Sequence, residues 1–376
     1  MGQSVPRRIC INGRFLTQAI TGVQRYAIEV TRCLDDMLDS GAIDRARYSI
    51  ELLAPRRGLR REMPLRAIRF RQVGRLSGHL WEQLELPSHT NGALLFCPAN
   101  TAPILRSRSR TNVVTIHGLN YIFVPYSYSA RFRLYYSFLI PRVLRTAREI
   151  IAVSETERQL MIRRFINELP RVHVIQNGSL PSDFSPDAET PPPPEAAGRR
   201  YALYVGSINR HKNPQSAVRA IEILGREMDI GLVLVGDSSG NFRKAGLQIP
   251  EHIRDKVSFA GRIEDTARLV ALYRAAACFV FPSLYEASPL PPLEAMACGC
   301  PVVTADFAEM RERCGDAAVY CDPTSADSIA AAMKEVIGNS SLRSKLVQAG
   351  LYRAREMSWQ RCAAKTFEVL DRALPA

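Results

Sequence analysis

Tyr201-Ala202-Leu203-Tyr204-Val205-Gly206 is a short apolar run closed by glycine, and it follows a stretch of opposite character. Pro191 to Pro194 is a four-proline run flanked by acids. It can be neither helix nor central strand, because proline lacks a backbone N–H and fixes its own φ. A strand pattern that restarts after such a linker marks a second core. The same grammar continues at 230–236, 257–261, 278–282 and 301–304, with helical sequence between the runs. Short β-branched runs alternating with helices predict a parallel, doubly wound sheet. Before the linker, strand patterns at 8–11, 48–54, 93–97, 112–117 and 149–154, with a helical pattern over 27–34, predict a first sheet of the same class. The expected organisation is an N-terminal domain 1–185, a linker 186–200 and a C-terminal domain 201–357. Two such domains back to back leave a cleft at the carboxyl ends of their strands, where open α/β sheets bind ligands.

The bulk numbers agree. A chain of 376 residues exceeds what one core usually fills. No stretch reaches the roughly 18 apolar residues of a membrane-spanning helix. Ile9-Cys10-Ile11 gives way at once to Asn12, too short for a signal-peptide core, so a cytoplasmic protein is expected. Nine cysteines, an odd number set mostly in apolar runs, read as reduced, buried thiols. Cys298 and Cys300 form a C-x-C without a second Cys/His pair to complete a zinc site.

Charge is uneven. Residues 1–190 hold 27 Arg against 16 acids, while the remainder holds 23 Lys plus Arg against 21. The first-half excess favours an anionic partner, such as a lipid surface or a phosphate-bearing substrate. No nucleic-acid-binding module accompanies it, so no nucleic acid is expected.

The chemistry concentrates in residues 281–303, from Phe281-Pro282-Ser283-Leu284-Tyr285-Glu286 to Leu293-Glu294-Ala295-Met296-Ala297 and Pro301-Val302-Val303. A strand ends in a polar loop, and a helix begins near Pro291 or Pro292, where a missing N–H costs nothing. The N–H groups at such a helix start suit a diphosphate. Glu286 lies before that seat and Glu294 about one turn into the helix, spaced to reach hydroxyls at two ends of a sugar nucleotide. The alternative is that both glutamates serve as caps or ion-pair partners.

This segment resembles the E-x7-E motif of retaining glycosyltransferase family four, which has the GT-B fold, and the sequel L-E-A-M-A-x-G-x-P-V-V resembles it too. The likeness runs in order through Thr21-Gly22-Val23, Thr115-Ile116-His117, Ala152-Val153-Ser154, Asn177-Gly178, Leu203-Tyr204-Val205-Gly206, Lys212-Asn213 and Leu272-Tyr273-Arg274-Ala275-Ala276. Ser358-Trp359 resembles the start of the family's terminal segment, which implies that a helix in 358–376 packs back on the first domain. The resemblance implies that Glu286 binds the transferred sugar and Glu294 the ribose, and that Lys212, with Arg210, neutralises the departing diphosphate. It assigns Gly22 to a close backbone approach, His117 to the donor sugar and Arg262 to the nucleotide base.

Three departures stand out. Where the family has G-F-G after the first glutamate, this chain has Ala287-Ser288-Pro289. Pro289 offers no N–H, which makes Ser288 and Leu290 the expected diphosphate contacts. Ser207 stands where many members place an arginine, and Gly118 where aspartate is common. No D-x-D occurs, so no metal is expected.

Residues 126–140 interleave aromatics with arginines, and Arg142, Arg145 and Arg148 follow. The pattern suits a core helix with snorkelling arginines, the preferred reading, or a helix lying on an anionic membrane, a case to which the arginines between Arg56 and Arg75 add. The resulting expectation is a transferase moving a hexose, mannose from GDP-mannose, to a glycan or prenyl-diphosphate-linked acceptor at the inner face of the plasma membrane. Another GT-B activity (an epimerase or a disaccharide synthase), or a sugar-nucleotide-binding subunit without turnover, is the rival.

Overall fold

The computed structural model describes residues 6–105, 111–165, 171–179, 198–236 and 247–374. The chain forms two compact units. The first comprises 1–122, 128–178 and 359–376, and the second 123–127 and 179–358.

The first unit holds a sheet of seven strands: β1 (Arg7–Asn12), β2 (Tyr48–Pro55), β3 (Arg69–Val73), β4 (Leu94–Cys97), β5 (Asn112–Ile116), β6 (Glu149–Ala152) and β7 (Val172–Val174). Their order is β3-β2-β1-β4-β5-β6-β7, and every pairing is parallel. The central strands are buried along their length, as in a sheet covered by helices on both faces. That is why they read as unbroken apolar runs. The edge strands β3 (RFRQV) and β7 (VHV) carry polar residues and are partly exposed, so the apolar pattern did not mark them.

The second unit repeats the plan with β8 (Tyr201–Val205), β9 (Gly231–Val235), β10 (Val257–Gly261), β11 (Cys278–Phe281), β12 (Val302–Ala305) and β13 (Ala318–Cys321) in the order β10-β9-β8-β11-β12-β13. Successive residues supply opposite faces. Leu203 packs with Phe279, Phe281, Leu293 and Met296 on one side. Tyr204 packs with Leu234, Val280, Ile329 and Met333 on the other.

Several boundaries differ from the sequence expectation. The first passage between units falls at Gly178–Ser179 rather than at 185, and the return at Ser358–Trp359 rather than before Ser358. Residues 180–197, which hold the proline run and most of the expected linker, lie outside the described residues. Phe123–Ser127 belongs with the second unit although both its neighbours belong to the first. Phe123 stacks on Tyr285 at 5.4 Å, and Ser127 Oγ lies 2.9 Å from His211 Nδ1, contacts that no local pattern announces. The aromatic helix accordingly starts at Ala130, capped by Ser129, and not at Tyr126.

The terminal helix α9 (Trp359–Ala373) packs in the first unit against α1 (Gly22–Asp39), as expected. Trp359 meets Tyr26 edge-on, and Asp371 accepts from Arg7 at 2.8 Å and from Tyr48 at 2.6 Å. A Cβ on Gly178 would stand 2.6 Å from Trp359 Cα, so only glycine lets the two chain passages lie side by side.

All nine cysteines are buried and unbridged. Burial raises the thiols of Cys10, to about 11, and of Cys298 and Cys300, as befits small apolar core residues.

Candidate active site

In the second unit the strand order reverses between β8 and β11, the position where open parallel sheets leave a crevice. After β8 the chain turns through a 3-10 segment, Arg210–Lys212. Asn209 caps it, accepting from the Lys212 amide at 3.1 Å. Asn213 then takes the left-handed conformation, φ 56°, which asparagine tolerates better than most residues. Its side-chain amide donates to the carbonyls of Pro282, at 3.0 Å, and Pro323, at 2.7 Å. The Leu284 amide donates to the His211 carbonyl at 2.7 Å. These bonds fasten the loop after β8 to the loop after β11.

That fastening sets Lys212 Nζ 2.5 Å from Glu286 Oε1. Glu286 is only 6% exposed, so the pair is largely withdrawn from water and interacts more strongly than a surface ion pair. Glu294 lies in the first turn of a short helix, α6 (Pro291–Ala297), that starts where the two prolines predict. It is 9% exposed and accepts from the Tyr273 hydroxyl at 2.8 Å. Burial, with the Glu294 carboxylate beside it, holds the Tyr273 phenol well above its usual range. Both glutamates therefore have protein partners, an ammonium for Glu286 and a phenol hydroxyl for Glu294.

Leu290 is the residue before α6, and its carbonyl accepts from the Leu293 and Glu294 amides. Ser288 is half-buried beside it. The Ala287-Ser288-Pro289 departure is anchored by Arg313, which is 1% exposed and donates from Nε to the Pro289 carbonyl at 2.9 Å. Asn209 and Arg313 lie outside the motifs read from the sequence, whereas Asn213 and Tyr273 lie within them without an assigned role. Arg313 could have been found only as an arginine in the otherwise core-facing stretch around Met310 and Cys314.

Other expected site residues are placed differently. Arg210 does not join the Lys212–Glu286 pair; its guanidinium lies 5.3 Å from the Tyr126 ring centroid. Arg262 follows β10 and pairs with exposed Glu264 at 3.3 Å. Gly22 opens α1, and a side chain there would meet nothing within 4 Å. The space over that helix start is open.

In the first unit, His117 follows β5. Its Nε2 lies 2.8 Å from the Pro98 carbonyl, so Nε2 carries the proton and donates, and Nδ1 keeps its lone pair. Its ring packs edge-on to Tyr26 at 4.6 Å. Burial lowers its pKa to about 4, which leaves it neutral near pH 7. Among the described residues, no group of three His, Cys, Asp or Glu is placed to hold a metal ion.

Comparison with known proteins fits this arrangement. Residues 20–179 match the model described as Glycosyltransferase Family 4, and residues 187–352 match Glycosyl transferases group 1. An O-antigen chain mannosyltransferase of Escherichia coli is 31% identical over 70% of this chain and 70% of its own length. The chain belongs to glycosyltransferase family four. A second family relative, an O-antigen chain mannosyltransferase of Salmonella typhimurium, is 24% identical over 65% of each chain. The fold of this family-four glycosyltransferase also matches an Anabaena protein solved with UDP and glucose, with a TM-score of 0.69, 15% identity, and coverage of 97% of this chain and 100% of that one. Two Rossmann-like domains of the GT-B type are thus the architecture of this glycosyltransferase. Among its described residues, no helix is long and apolar enough to cross a membrane.

Proposed function

We propose that this family-four glycosyltransferase, an enzyme of polysaccharide biosynthesis, moves mannose from GDP-mannose, with retention of configuration, to a glycan or lipid-linked glycan. The observation that carries the reading is the pair of half-buried Lys212 with buried Glu286 at the crevice between β8 and β11. A bound diphosphate competes with Glu286 for the Lys212 ammonium, and a sugar hydroxyl can take its place on the carboxylate. Lys212 then stabilises the negative charge that grows on the leaving phosphate, an electrostatic contribution that a withdrawn site strengthens. Glu294 takes the ribose hydroxyls, and the backbone around Ser288 and Leu290 takes the diphosphate. Arg210 swings from Tyr126 to assist, Arg262 contacts the base, and Gly22 leaves room for phosphate or acceptor. Neutral His117 hydrogen-bonds the transferred sugar. No metal takes part.

The acceptor side of the proposal includes an anionic membrane on the cytoplasmic side. The helix α2 (Ala130–Thr146) buries Leu139, Ile140, Val143 and Leu144 but exposes Leu134, at 76%, and Phe138. Arg131, Arg133, Arg142 and Arg145 lie on its exposed parts, and no carboxylate is within ion-pair distance of them among the described residues. A groove of about 580 Å³ beside it is lined by Tyr121, Leu134, Phe165, Arg133 and Arg164. Exposed rings and arginines together suit the headgroup layer. By contrast Arg69 and Arg71, expected to add to this face, pair with Glu51 on the neighbouring strand, and Arg66 pairs with Asp36 and Asp39.

The test is thermal stabilisation by a panel of sugar nucleotides, because a ligand that binds the folded state raises stability by mass action. GDP-mannose is expected to raise the melting temperature above UDP-glucose, UDP-galactose and free mannose. Equal or absent shifts would reject the donor assignment.

A further inference from the structure

The first sheet reverses its strand order between β1 and β4, and a buried charge cluster stands at their carboxyl ends. Its centre is Glu82, 0% exposed, on a π-helical turn Trp81–Glu85. Turns of this kind interrupt the regular helix ladder and occur often at functional sites. Glu82 Oε1 accepts from Asn12 Nδ2 at 2.7 Å, Arg14 Nε at 3.2 Å and Thr101 Oγ1 at 2.8 Å. Arg14 also donates to Thr101 Oγ1 at 2.8 Å. Asn12 ends β1 and Thr101 follows β4, so the cluster ties the carboxyl ends of the two strands together. Burial disfavours the Glu82 carboxylate, but the Arg14 guanidinium and the hydrogen bonds outweigh it and hold the group at about 2.

The second oxygen points the other way. Oε2 lies 3.2 Å from His79 Nδ1. An ionised carboxylate only accepts, so Nδ1 carries the proton and, in the neutral ring, Nε2 is the nitrogen that keeps a lone pair. His79 is half-exposed, and its ring meets half-buried Tyr135 edge-on at 4.8 Å. A buried ion pair would satisfy Glu82 and Arg14 without His79. Extending the network to a half-exposed imidazole beside an aromatic ring places an imidazole nitrogen and an apolar ring together at the partly exposed end of the network. That combination fits a sugar ring, which offers hydroxyl donors at its edge and C–H groups on its face.

We propose that His79 and Tyr135 form a hexose-binding acceptor subsite in the first domain, with Glu82 as the positioning residue that fixes the His79 tautomer. The proposal rests on the transferase reading above for its role, and on the first-domain geometry alone for its binding chemistry.

Two measurements on the full chain test it. In nitrogen-15 spectra of histidine-labelled protein, titration with octyl α-mannoside, octyl β-glucoside and octyl β-galactoside is expected to move the His79 Nε2 signal with at least one of them. In the assay using the hexoside that binds, H79A is expected to raise the hexoside KM about tenfold, the worth of one hydrogen bond. Its nucleotide-sugar KM and its donor hydrolysis without acceptor should stay at the wild-type level. E82Q is expected to reproduce that KM split and to shift the His79 tautomer signature; H79A, at a half-exposed position, carries the test alone if E82Q does not fold. The proposal is overturned if no hexoside moves the His79 signal, or if H79A changes donor and acceptor constants alike. A hexoside response at His79 without any sugar-nucleotide turnover would support the subsite and reject the transferase reading instead.

Discussion

Lys212 Nζ stands 2.5 Å from Glu286 Oε1, and the two residues come from loops joined by Asn213 and by the Leu284–His211 backbone bond. The pair is thus built by the framework. In the proposed reaction a diphosphate takes the cation and a sugar hydroxyl the anion, which requires the ligand to separate the pair.

Replacing Lys212 by methionine removes the charge and keeps most of the stem. Turnover of the donor should fall by about 10² to 10³, the usual consequence of deleting one group that stabilises developing negative charge. Steady-state kinetics on the best sugar nucleotide check this. A loss confined to KM would mean that Lys212 binds the ground state and transition state equally.

Tyr273→Phe removes the hydroxyl that donates to Glu294. A stability loss of about 1–2 kcal/mol is expected from urea unfolding, as for a buried carboxylate deprived of one donor. The donor KM should rise as Glu294 loses its fixed orientation, whereas kcat should change little. An unaltered KM would separate Glu294 from donor binding.

Arg313→Leu removes the guanidinium that holds the Pro289 carbonyl. The expected cost is about 1–3 kcal/mol, the range for an unsatisfied buried polar group. Because the freed loop carries Ser288 and Leu290, affinity for a nucleoside diphosphate should weaken as well. Calorimetric titration with GDP and UDP reads the binding effect directly.

Stability should also depend on pH in two stages. Burial lowers His117 to about 4, and burial with nearby Lys212 lowers His211 to about 4, against an ordinary 6.5. Between these values the unfolded chain binds more protons than the folded one, so stability falls as pH drops from 6.5 towards 4. Glu82, held at about 2 against 4.5, adds a further loss as pH falls below 4.5. Melting temperatures measured from pH 7 to pH 3 should decline throughout. H117Q should make the first stage shallower by about half, since glutamine does not titrate and His211 still does.

Much of this was legible in the sequence, for a physical reason. Strands such as Leu203-Tyr204-Val205 and Val113-Val114 are covered on both faces and are mostly apolar, so a short apolar run announces them. The same holds for α6, whose start is written in Pro291 and Pro292. Edge strands escape because Arg69, Arg71 and Gln72 need no cover. The attachment of Phe123–Ser127 to the second unit depends on Tyr285 and His211, more than 80 residues away, and no periodicity carries that information. No motif or periodicity marks Glu82; only the fold shows it buried among Asn12, Arg14 and Thr101.

Glu286 is the residue on which the proposed transfer depends most directly. Sugar-nucleotide turnover by wild type and Glu286→Gln should be measured side by side, with GDP-mannose first in the panel. The wild type should release nucleoside diphosphate, and the variant should do so at least about a hundredfold more slowly while keeping its nucleotide-dependent thermal shift. Wild-type turnover in the variant would contradict the central claim.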